Sequence, residues 1–399
     1  MRRYGRMAIL VALALAAGAG VWPKLWAPPG QHKHYLHQAR AFCQGRLDID
    51  EPFGDVATYN GRHYVVFPPF PALLITPLVA IFGVQTRTTV VSLALTALNV
   101  LVLHRALALL EVPRELRRWV LAAFFLGTAY TTSLFQTYET WHFAHIVAVT
   151  CLLLAVCEAL GRGRAVLIGL FCGLAFLSRH LCLYAAPFLA LAIWQRHPTA
   201  TLARKLAHLT LLCLPLALCG GVYFGFNYLR FGDPLDTGYA HLQPEGFLAE
   251  RVAQYGLFDL AYVPFNLTHM FLQGFHINFG PPRYLSVEGM DPLGTSVTFA
   301  SPFLFLAVLA RGRRAWLIPA WLAIGLPIVH AALYYNNGFA QANAQRFTLD
   351  YLPILILLVA RGAQRAAPRW WKPAMAYSIA LNAVALIGVD LLRRITASL

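Results

Sequence analysis

Three carboxylates lie close together in a polar stretch near the start of the chain, at Asp48, Asp50 and Asp55. A carboxylate can take the proton from a hydroxyl group that attacks an electrophilic carbon, so each of the three is a candidate general base. Asp55 is the first choice, because the rings of Tyr59, Tyr64 and Phe67 would hold it near the membrane surface. The two tyrosines are also candidate substrate-binding residues. Asp48 and Asp50 are two residues apart and would point in different directions on a strand or a helix. The alternative for each carboxylate is a solvated loop charge.

A second set of polar residues recurs at helical spacing in the segment YETWHFAH, residues 138–145. Glu139, His142 and His145 follow one another every three residues, so one broad face of a helix would present all three. Such a face suits a polar substrate cleft, and its carboxylate and imidazoles also suit a divalent metal. No fourth ligand is visible, so we assign no metal and no cofactor and keep a divalent metal as an open alternative. Interfacial anchoring, helped by Trp141, is the third interpretation.

Cations that suit a phosphate group occur in two places, at Arg179 with His180 and at Arg346. A guanidinium can hold a phosphate through two parallel hydrogen bonds, and an ionisable residue near membrane depth is a functional candidate by default. Asp350 joins this candidate substrate-binding set. The alternatives are an Arg179 side chain that reaches out to lipid headgroups, and an ion pair between Arg346 and Asp350, four residues apart on one helical face.

Side-chain amides crowd the segment YYNNGFAQANAQRF, residues 334–347. Amides donate and accept hydrogen bonds, so Asn337 and Gln341 are candidates for binding sugar hydroxyl groups. The alternative is that this amide-rich loop is simply solvated.

The elements that must position these residues follow from composition. The chain has 399 residues, of which 58% are hydrophobic and only 12% charged, whereas soluble domains have about 25% charged residues. Apolar runs of roughly 20 residues can cross a membrane, and each must be helical because lipid cannot satisfy an open backbone. We therefore predict an all-α fold, a polytopic membrane helical bundle forming a single integral membrane domain, 1–399, with about eleven transmembrane helices. The predicted spans are 7–26, 89–110, 118–136, 141–160, 165–178, 181–195, 206–229, 296–310, 315–335, 349–361 and 371–391.

The net charge of +15 comes from basic residues that cluster in short loops between the apolar runs. This pattern follows the positive-inside rule, so we predict membrane lipids and no nucleic acid as partners. If the proline-rich segment 70–84 lies along or dips into the membrane instead of crossing it, every basic cluster falls on one side. The N-terminus is then cytoplasmic. Segment 7–26 is predicted to be an uncleaved anchor in preference to a secretory signal, because its apolar stretch continues through Trp22 to Trp26 and reaches spanning length. Residues 27–88 and 230–295 become external loops with interfacial helices and most of the acidic residues.

Several segments carry a resemblance to a known family. They are YLHQARAFCQGRLDI (35–49), YNGRHYVVFPPFPALLITPLVAIFG (59–83), YETWHFAH (138–145), GLAFLSRH (173–180), NYLRFGDPLDTGY (227–239) and NNGFAQANAQRFTLDYLP (336–353). Together they resemble the GT-C superfamily of polytopic membrane glycosyltransferases. The similarity is to bacterial members of the RgtA/B/C/D-like or dolichyl-phosphate-mannose mannosyltransferase-like group, and it extends over most of the chain.

The resemblance implies an enzyme that moves a hexosyl or pentosyl group from a polyprenyl-phosphate donor to a lipid, glycan or protein acceptor. The reaction would take place at the outer face of the bacterial inner (plasma) membrane, with an acidic residue of the first external loop as general base. The chain departs from the family where an acidic residue commonly precedes the first interfacial helix. It has Gln31, His32, Lys33 and His34 there, which is why Asp55, Asp48 and Asp50 are considered instead.

Two other functions fit a polytopic chain of this kind. One is a GT-C-like protein that has lost catalysis and binds a lipid or glycan. The other is a transporter of lipid-linked sugars, which would place ionisable or broken helical segments at the middle of the bilayer. Carboxylates and arginines that converge at the outer mouth would favour transfer.

Overall fold

A computed structural model describes residues 32–196, 198–281, 283–336 and 343–397. The predicted span 7–26 lies outside the described residues, and so do Asn337 and Gln341. Helices make up nearly all of the regular structure, which confirms the all-α fold. Sheet is limited, within the described ranges, to two antiparallel hairpins, β1 Val56–Tyr59 with β2 Arg62–Val65 and β3 Ile277–Gly280 with β4 Ser286–Met290.

The α-helices follow in chain order. They are α1 His34–Cys43, α2 Phe70–Phe82, α3 Thr88–Leu109, α4 Arg114–Leu126, α5 Ala129–Phe135, α6 Thr140–Leu160, α7 Ala165–Phe176, α8 Ala186–Arg196, α9 Leu202–Phe231, α10 Phe247–Tyr255, α11 Val263–Phe271, α12 Val297–Ala300, α13 Arg314–Leu333, α14 Leu352–Ala363, α15 Pro368–Ala383 and α16 Val389–Thr396. Tighter 3₁₀ turns stand at Gly83–Gln85, His180–Ala185, Tyr239–His241, Leu260–Tyr262, Pro302–Leu309 and Arg346–Asp350, and a π turn at Val384–Gly388 joins α15 to α16.

Among the described residues, five helical segments are long and apolar enough to cross a membrane, namely α3, α6, α9, α13 and α15 continued through α16. Other predicted spans are interrupted. The predicted span 118–136 is divided into α4 and α5. Gly127 is the C-cap of the first helix, and Thr128 begins the second because its hydroxyl accepts a hydrogen bond from the N–H of Tyr130. The predicted spans 181–195 and 296–310 contain 3₁₀ turns. An apolar run does not reveal such breaks, so the count of eleven is not established for the part of the chain described.

The turns that carry the basic clusters meet at one end of the bundle, here called the basic end. Leu109, at the end of α3, lies against Gly161, at the end of α6. Hydrogen bonds join the neighbouring turns, from Arg196 to Ala159, from Gln195 to Ala315 and from Gln364 to Glu111. The clustering of basic residues in the sequence predicts that these turns lie at the same end of the bundle. The side of the membrane that the basic end faces stays a prediction.

The proline-rich helix α2 begins and ends at the opposite end of the bundle, here called the site end. The N–H of Phe70 donates to the carbonyl of Leu177, just after α7, at 3.0 Å. After α2 the chain reaches Thr88, whose hydroxyl donates to the carbonyl of Thr137 at 2.5 Å. The 13 residues of α2 span only about 20 Å, less than the roughly 30 Å of a hydrocarbon core. The segment therefore enters and leaves at one end of the bundle.

Helix α6 forms the centre of the bundle and packs against α3 and α7. Of the 18 most apolar consecutive residues of α6, 78% are buried. Helix α7 in turn packs closely on α9 because glycines remove the side chains between them. A Cβ atom at Gly169 would lie 1.9 Å from the carbonyl oxygen of Leu212, and one at Gly173 would lie 2.6 Å from the sulfur of Cys219. Small residues at such spacing let membrane helices approach each other.

Gly169→Ala is expected to destabilise the protein, because the added methyl group has no space between the two backbones. Overpacking of this kind costs about 1–3 kcal/mol. Gly221→Ala is the matched control, since a Cβ atom there meets nothing within 4 Å and alanine favours a helix over glycine by about 1 kcal/mol. Thermal unfolding in detergent, followed by tryptophan fluorescence, measures both. Equal midpoints for the two variants would contradict the close contact.

Candidate functional site

A cavity of about 270 Å³ opens at the site end of the bundle. Segments far apart in the chain meet there: the turn before β1, the start of α6, the turn after α7, the end of α13 and the 3₁₀ turn before α14. Its charged and imidazole groups are Asp55, Arg179, His180, His330 and Arg346, and its aromatic walls include Phe67, Trp141, Tyr239, Phe258, Tyr334, Tyr335 and Phe347. Four residues predicted from sequence, Asp55, Arg179, His180 and Arg346, therefore lie around one cavity.

Arg179 is held by a buried carboxylate beneath the cavity. Its Nε and one terminal nitrogen donate to the two carboxylate oxygens of Asp350 at 3.0 and 2.8 Å. The Nδ1 atom of His145 lies 3.1 Å from the same carboxylate. Asp350 thus pairs with Arg179, and the alternative pairing of Asp350 with Arg346 is not observed. A two-point pair of this kind fixes the direction of the guanidinium.

Arg346 also lies in the cavity wall but, unlike Arg179, it is not paired with any carboxylate among the described residues. Its side chain is 5% exposed, and its Nε has no hydrogen-bond partner within the described ranges. The guanidinium lies over the rings of Phe347 and Trp141, with its central carbon 4.8 and 5.7 Å from the ring centres. Burial, together with the positive charge of Arg179, lowers the pKa of Arg346 to about 9. Both causes oppose the charged form, so an anion in the cavity would stabilise this side chain.

Asp55 faces the same space from a tight turn. Its φ angle of 62° lies in the left-handed region, which Asp and Asn adopt more readily than most residues. The side chain of His34 fixes the preceding residue, because its Nε2 lies 2.7 Å from the carbonyl oxygen of Gly54. Burial raises the pKa of Asp55 above its ordinary value, although the charges of His32 and Arg346 oppose this effect. A carboxylate of raised pKa is better matched to proton transfer near neutral pH.

The hairpin that follows Asp55 is fixed to the end of α9 by Arg230. This guanidinium donates to the carbonyl of Val65 and packs on Phe226 and Phe231, at 3.8 and 4.7 Å from the ring centres. Tyr59 and Tyr64 also pack on Phe231 at 5.6 and 5.4 Å, and neither ring lines the cavity. The two tyrosines therefore support the hairpin instead of facing the cavity as the sequence predicts.

Asp48 and Asp50 lie away from the cavity. Both carboxylates are paired with Arg46, at 3.5 and 2.5 Å, in the loop after α1. The paired positions agree with the alternative interpretation of these residues as loop charges.

The three polar residues of YETWHFAH do not form one face of a cleft. Glu139 accepts a hydrogen bond from His32 at 3.1 Å, His142 lies 3.1 Å from the hydroxyl of Ser133, and His145 approaches Asp350. None of the three lines the main cavity. Within the described ranges, no group of three or more His, Cys, Asp or Glu side chains is arranged to hold a metal ion.

Sequence reasoning missed several residues that line the cavity, above all His330, Tyr239 and Tyr335. A signal existed for His330, because it is an ionisable residue within a predicted span, 315–335. No such signal singles out the two tyrosines, which reach the cavity only through tertiary folding.

Comparisons with known proteins agree with this architecture. No protein-family model matches the chain, and no curated protein matches its sequence. The crystal structure of ArnT from Cupriavidus metallidurans bound to undecaprenyl phosphate is similar over 99% of this chain and 73% of that chain, with a TM-score of 0.53 and 15% sequence identity. This chain has a GT-C-type fold. The apo-state structure of ArnT is similar over 100% of this chain and 73% of that chain, with a TM-score of 0.49 and 16% identity.

The pair of Arg179 and the buried Asp350 is expected to stabilise the site end of the bundle. Asp350→Asn is expected to lower the free energy of unfolding by about 3–5 kcal/mol, because the guanidinium of Arg179 loses its buried counter-charge. Asp50→Asn is the matched control, since it removes a carboxylate from an exposed arginine and should change stability little. Chemical unfolding in detergent compares the two. Similar small losses would contradict the role given to Asp350.

Proposed function

We propose that the protein is a membrane glycosyltransferase that moves a sugar from a polyprenyl-phosphate donor to a lipid, glycan or protein acceptor at the outer face of the membrane. The main support is one observation: a single cavity holds Asp55 together with the guanidiniums of Arg179 and Arg346. A general base and a phosphate-binding cation are the two groups that such a transfer requires. The GT-C-type fold adds support, because the protein of similar fold was crystallised with undecaprenyl phosphate.

The donor phosphate would bind at Arg346. Arg179 already donates hydrogen bonds to both carboxylate oxygens of Asp350, whereas no described carboxylate lies within ion-pair distance of Arg346. A phosphate in the cavity would supply the missing acceptor for the Nε of Arg346 and would also feel the charge of Arg179. The aromatic walls would exclude water around this pair and so strengthen its electrostatic interaction.

The reaction then balances with the residues present. The acceptor hydroxyl oxygen attacks the anomeric carbon of the sugar, and Asp55 takes the hydroxyl proton. The bond between the anomeric carbon and the phosphate oxygen breaks, and its electron pair leaves with the polyprenyl phosphate. Arg346, assisted by Arg179, stabilises the negative charge that develops on this leaving group. The geometry does not favour Asp48 or Asp50 as the base.

Asp55→Asn is expected to reduce transfer by about 100-fold or more, because an amide cannot accept the proton. Asparagine tolerates the same left-handed backbone, so the turn should be kept. Asp48→Asn is the matched control and should retain activity. In the wild type, transfer should fall as the pH drops through the raised pKa of Asp55, that is, at a pH above the range of an ordinary aspartate. The measurement is sugar transfer from polyprenyl-phosphate sugars to membrane glycans, and unchanged transfer in Asp55→Asn would exclude it as the base.

Arg346→Gln is expected to weaken binding of undecaprenyl phosphate by about 10-fold or more, because a charged hydrogen bond is worth about 1.5–3 kcal/mol. Arg164→Gln is the matched control, since Arg164 pairs with Glu158 at the basic end and should not affect the lipid. Binding of the lipid phosphate to purified protein in nanodiscs measures both variants. Equal affinities would place the phosphate elsewhere.

The same experiments separate the other candidate functions. Lipid binding that depends on Arg346, without transfer by the wild type, would favour a GT-C-like binding protein. Movement of lipid-linked sugar across vesicles, without transfer, would favour a transporter.

A further inference from the structure

His32, which lies just before α1, is paired with a glutamate beside the cavity. The Nδ1 atom of His32 lies 3.1 Å from a carboxylate oxygen of Glu139, and its backbone N–H lies 3.3 Å from the same oxygen. The next residue, Thr140, donates its hydroxyl to the carbonyl of His32 at 2.6 Å. Three contacts thus fix His32 against the start of α6. The mechanism above uses neither His32 nor Glu139.

The other nitrogen of the imidazole faces the turn that carries the proposed base. A Cβ atom at Gly54 would lie 3.4 Å from the Nε2 atom of His32, and Asp55 is the next residue in the chain. The ring also packs on Trp141, a wall of the cavity, with 4.6 Å between ring centres. The side chain is 33% exposed. His32 therefore lies between the Asp55 turn and solvent, with Glu139 behind it.

The neighbouring His34 has a structural role and differs from His32 in its protonation. It is fully buried, and burial lowers its pKa to about 3, so it stays neutral while its Nε2 bonds Gly54. The hydrogen bond to Glu139 raises the pKa of His32 instead, and the negative charge of Asp55 acts in the same direction. Of the two stacked rings, His32 is the one suited to gain and lose a proton near neutral pH.

We propose that His32, held by Glu139, carries the proton that Asp55 takes from the acceptor and passes it to solvent. The inference rests on the proposed transferase function. The proton leaves the carboxyl group of Asp55, binds Nε2 of His32 directly or through one water, and is then released to bulk water. Asp55 returns to the carboxylate form for the next turnover, and no electrons are transferred. His32 thus acts through Asp55 and does not itself touch the substrate.

The charges around the pair have the signs that this role requires. Glu139 faces His32 from the start of α6, and Asp55 faces it from the turn before β1; both stabilise the imidazolium. Lys33 and His34 come from the same chain segment, and only Lys33 adds a positive charge. Arg346 lines the same cavity as Asp55, and its positive charge favours the return of Asp55 to the carboxylate form.

A first experiment tests the pair without relying on activity. The neutral imidazole of His32 reacts with diethyl pyrocarbonate, and mass spectrometry of purified protein in detergent gives the extent of reaction against pH. Glu139→Gln should lower the midpoint for His32 by about one pH unit, because the imidazolium loses its partner. Asp55→Asn should lower it by less. His63, bonded to Thr58 in the hairpin, is the internal control and should not change. Unchanged midpoints in both variants would overturn the proposal.

A second experiment tests the effect on turnover. His32→Gln keeps an amide that can donate to Glu139 but cannot carry a proton. It should lower kcat by about 10-fold, leave KM for the donor lipid unchanged and alter the pH profile, and added imidazole should restore part of the rate. Its thermal midpoint should match that of the wild type, and Glu139→Gln serves as the second variant if it does not. Transfer by the wild type with an unchanged His32→Gln profile would overturn the relay alone, whereas no transfer by the wild type would overturn the proposed function as well.

Discussion

Arg346 sets the constraint on which the site depends, because its guanidinium is buried without a carboxylate at ion-pair distance among the described residues. Burial of an unpaired charge is costly, so a fold keeps one only where something compensates for it. The neighbouring cation shows the compensated case, since Arg179 is matched by Asp350 through two hydrogen bonds. Arg346 is compensated by the rings of Trp141 and Phe347 and by the charges of Asp55 and Asp350, which are not at ion-pair distance, so an anion bound in the cavity would stabilise it further.

The helical bundle brings Asp55, Arg179 and Arg346 together at the site end, away from the basic end. Residues 55, 179 and 346 belong to distant segments, and each lies in a turn at the site end and not within a long helix. The short helix α2 enters and leaves at this end, which lets the hairpin before it reach the cavity. Arg230 and His34 then fix that hairpin and the Asp55 turn through backbone carbonyls. Loops placed by a rigid bundle are where binding groups usually lie.

Part of this site could be predicted because ionisable residues near membrane depth have few structural uses, which selected Arg179 and Arg346. The choice of Asp55 rests on the aromatic rings around it, although Tyr59 and Tyr64 pack on Phe231 and not on the cavity. The partner of Asp350 could not be predicted, because pairing at four residues assumes an α-helix and the segment is a 3₁₀ turn with three residues per turn. Glu139 and His145 diverge for a related reason. Glu139 precedes α6 and has an extended backbone, so helical spacing does not apply to it. His142 and His145 are one three-residue step apart within the helix and differ in direction by about 60°.

A cryo-EM structure of the protein with undecaprenyl phosphate tests the central claim most directly. The account predicts phosphate density in the cavity, within hydrogen-bond distance of the Arg346 guanidinium and opposite Asp55. Phosphate bound at the basic end, or outside the cavity with Arg346 still lacking an anion, would contradict it.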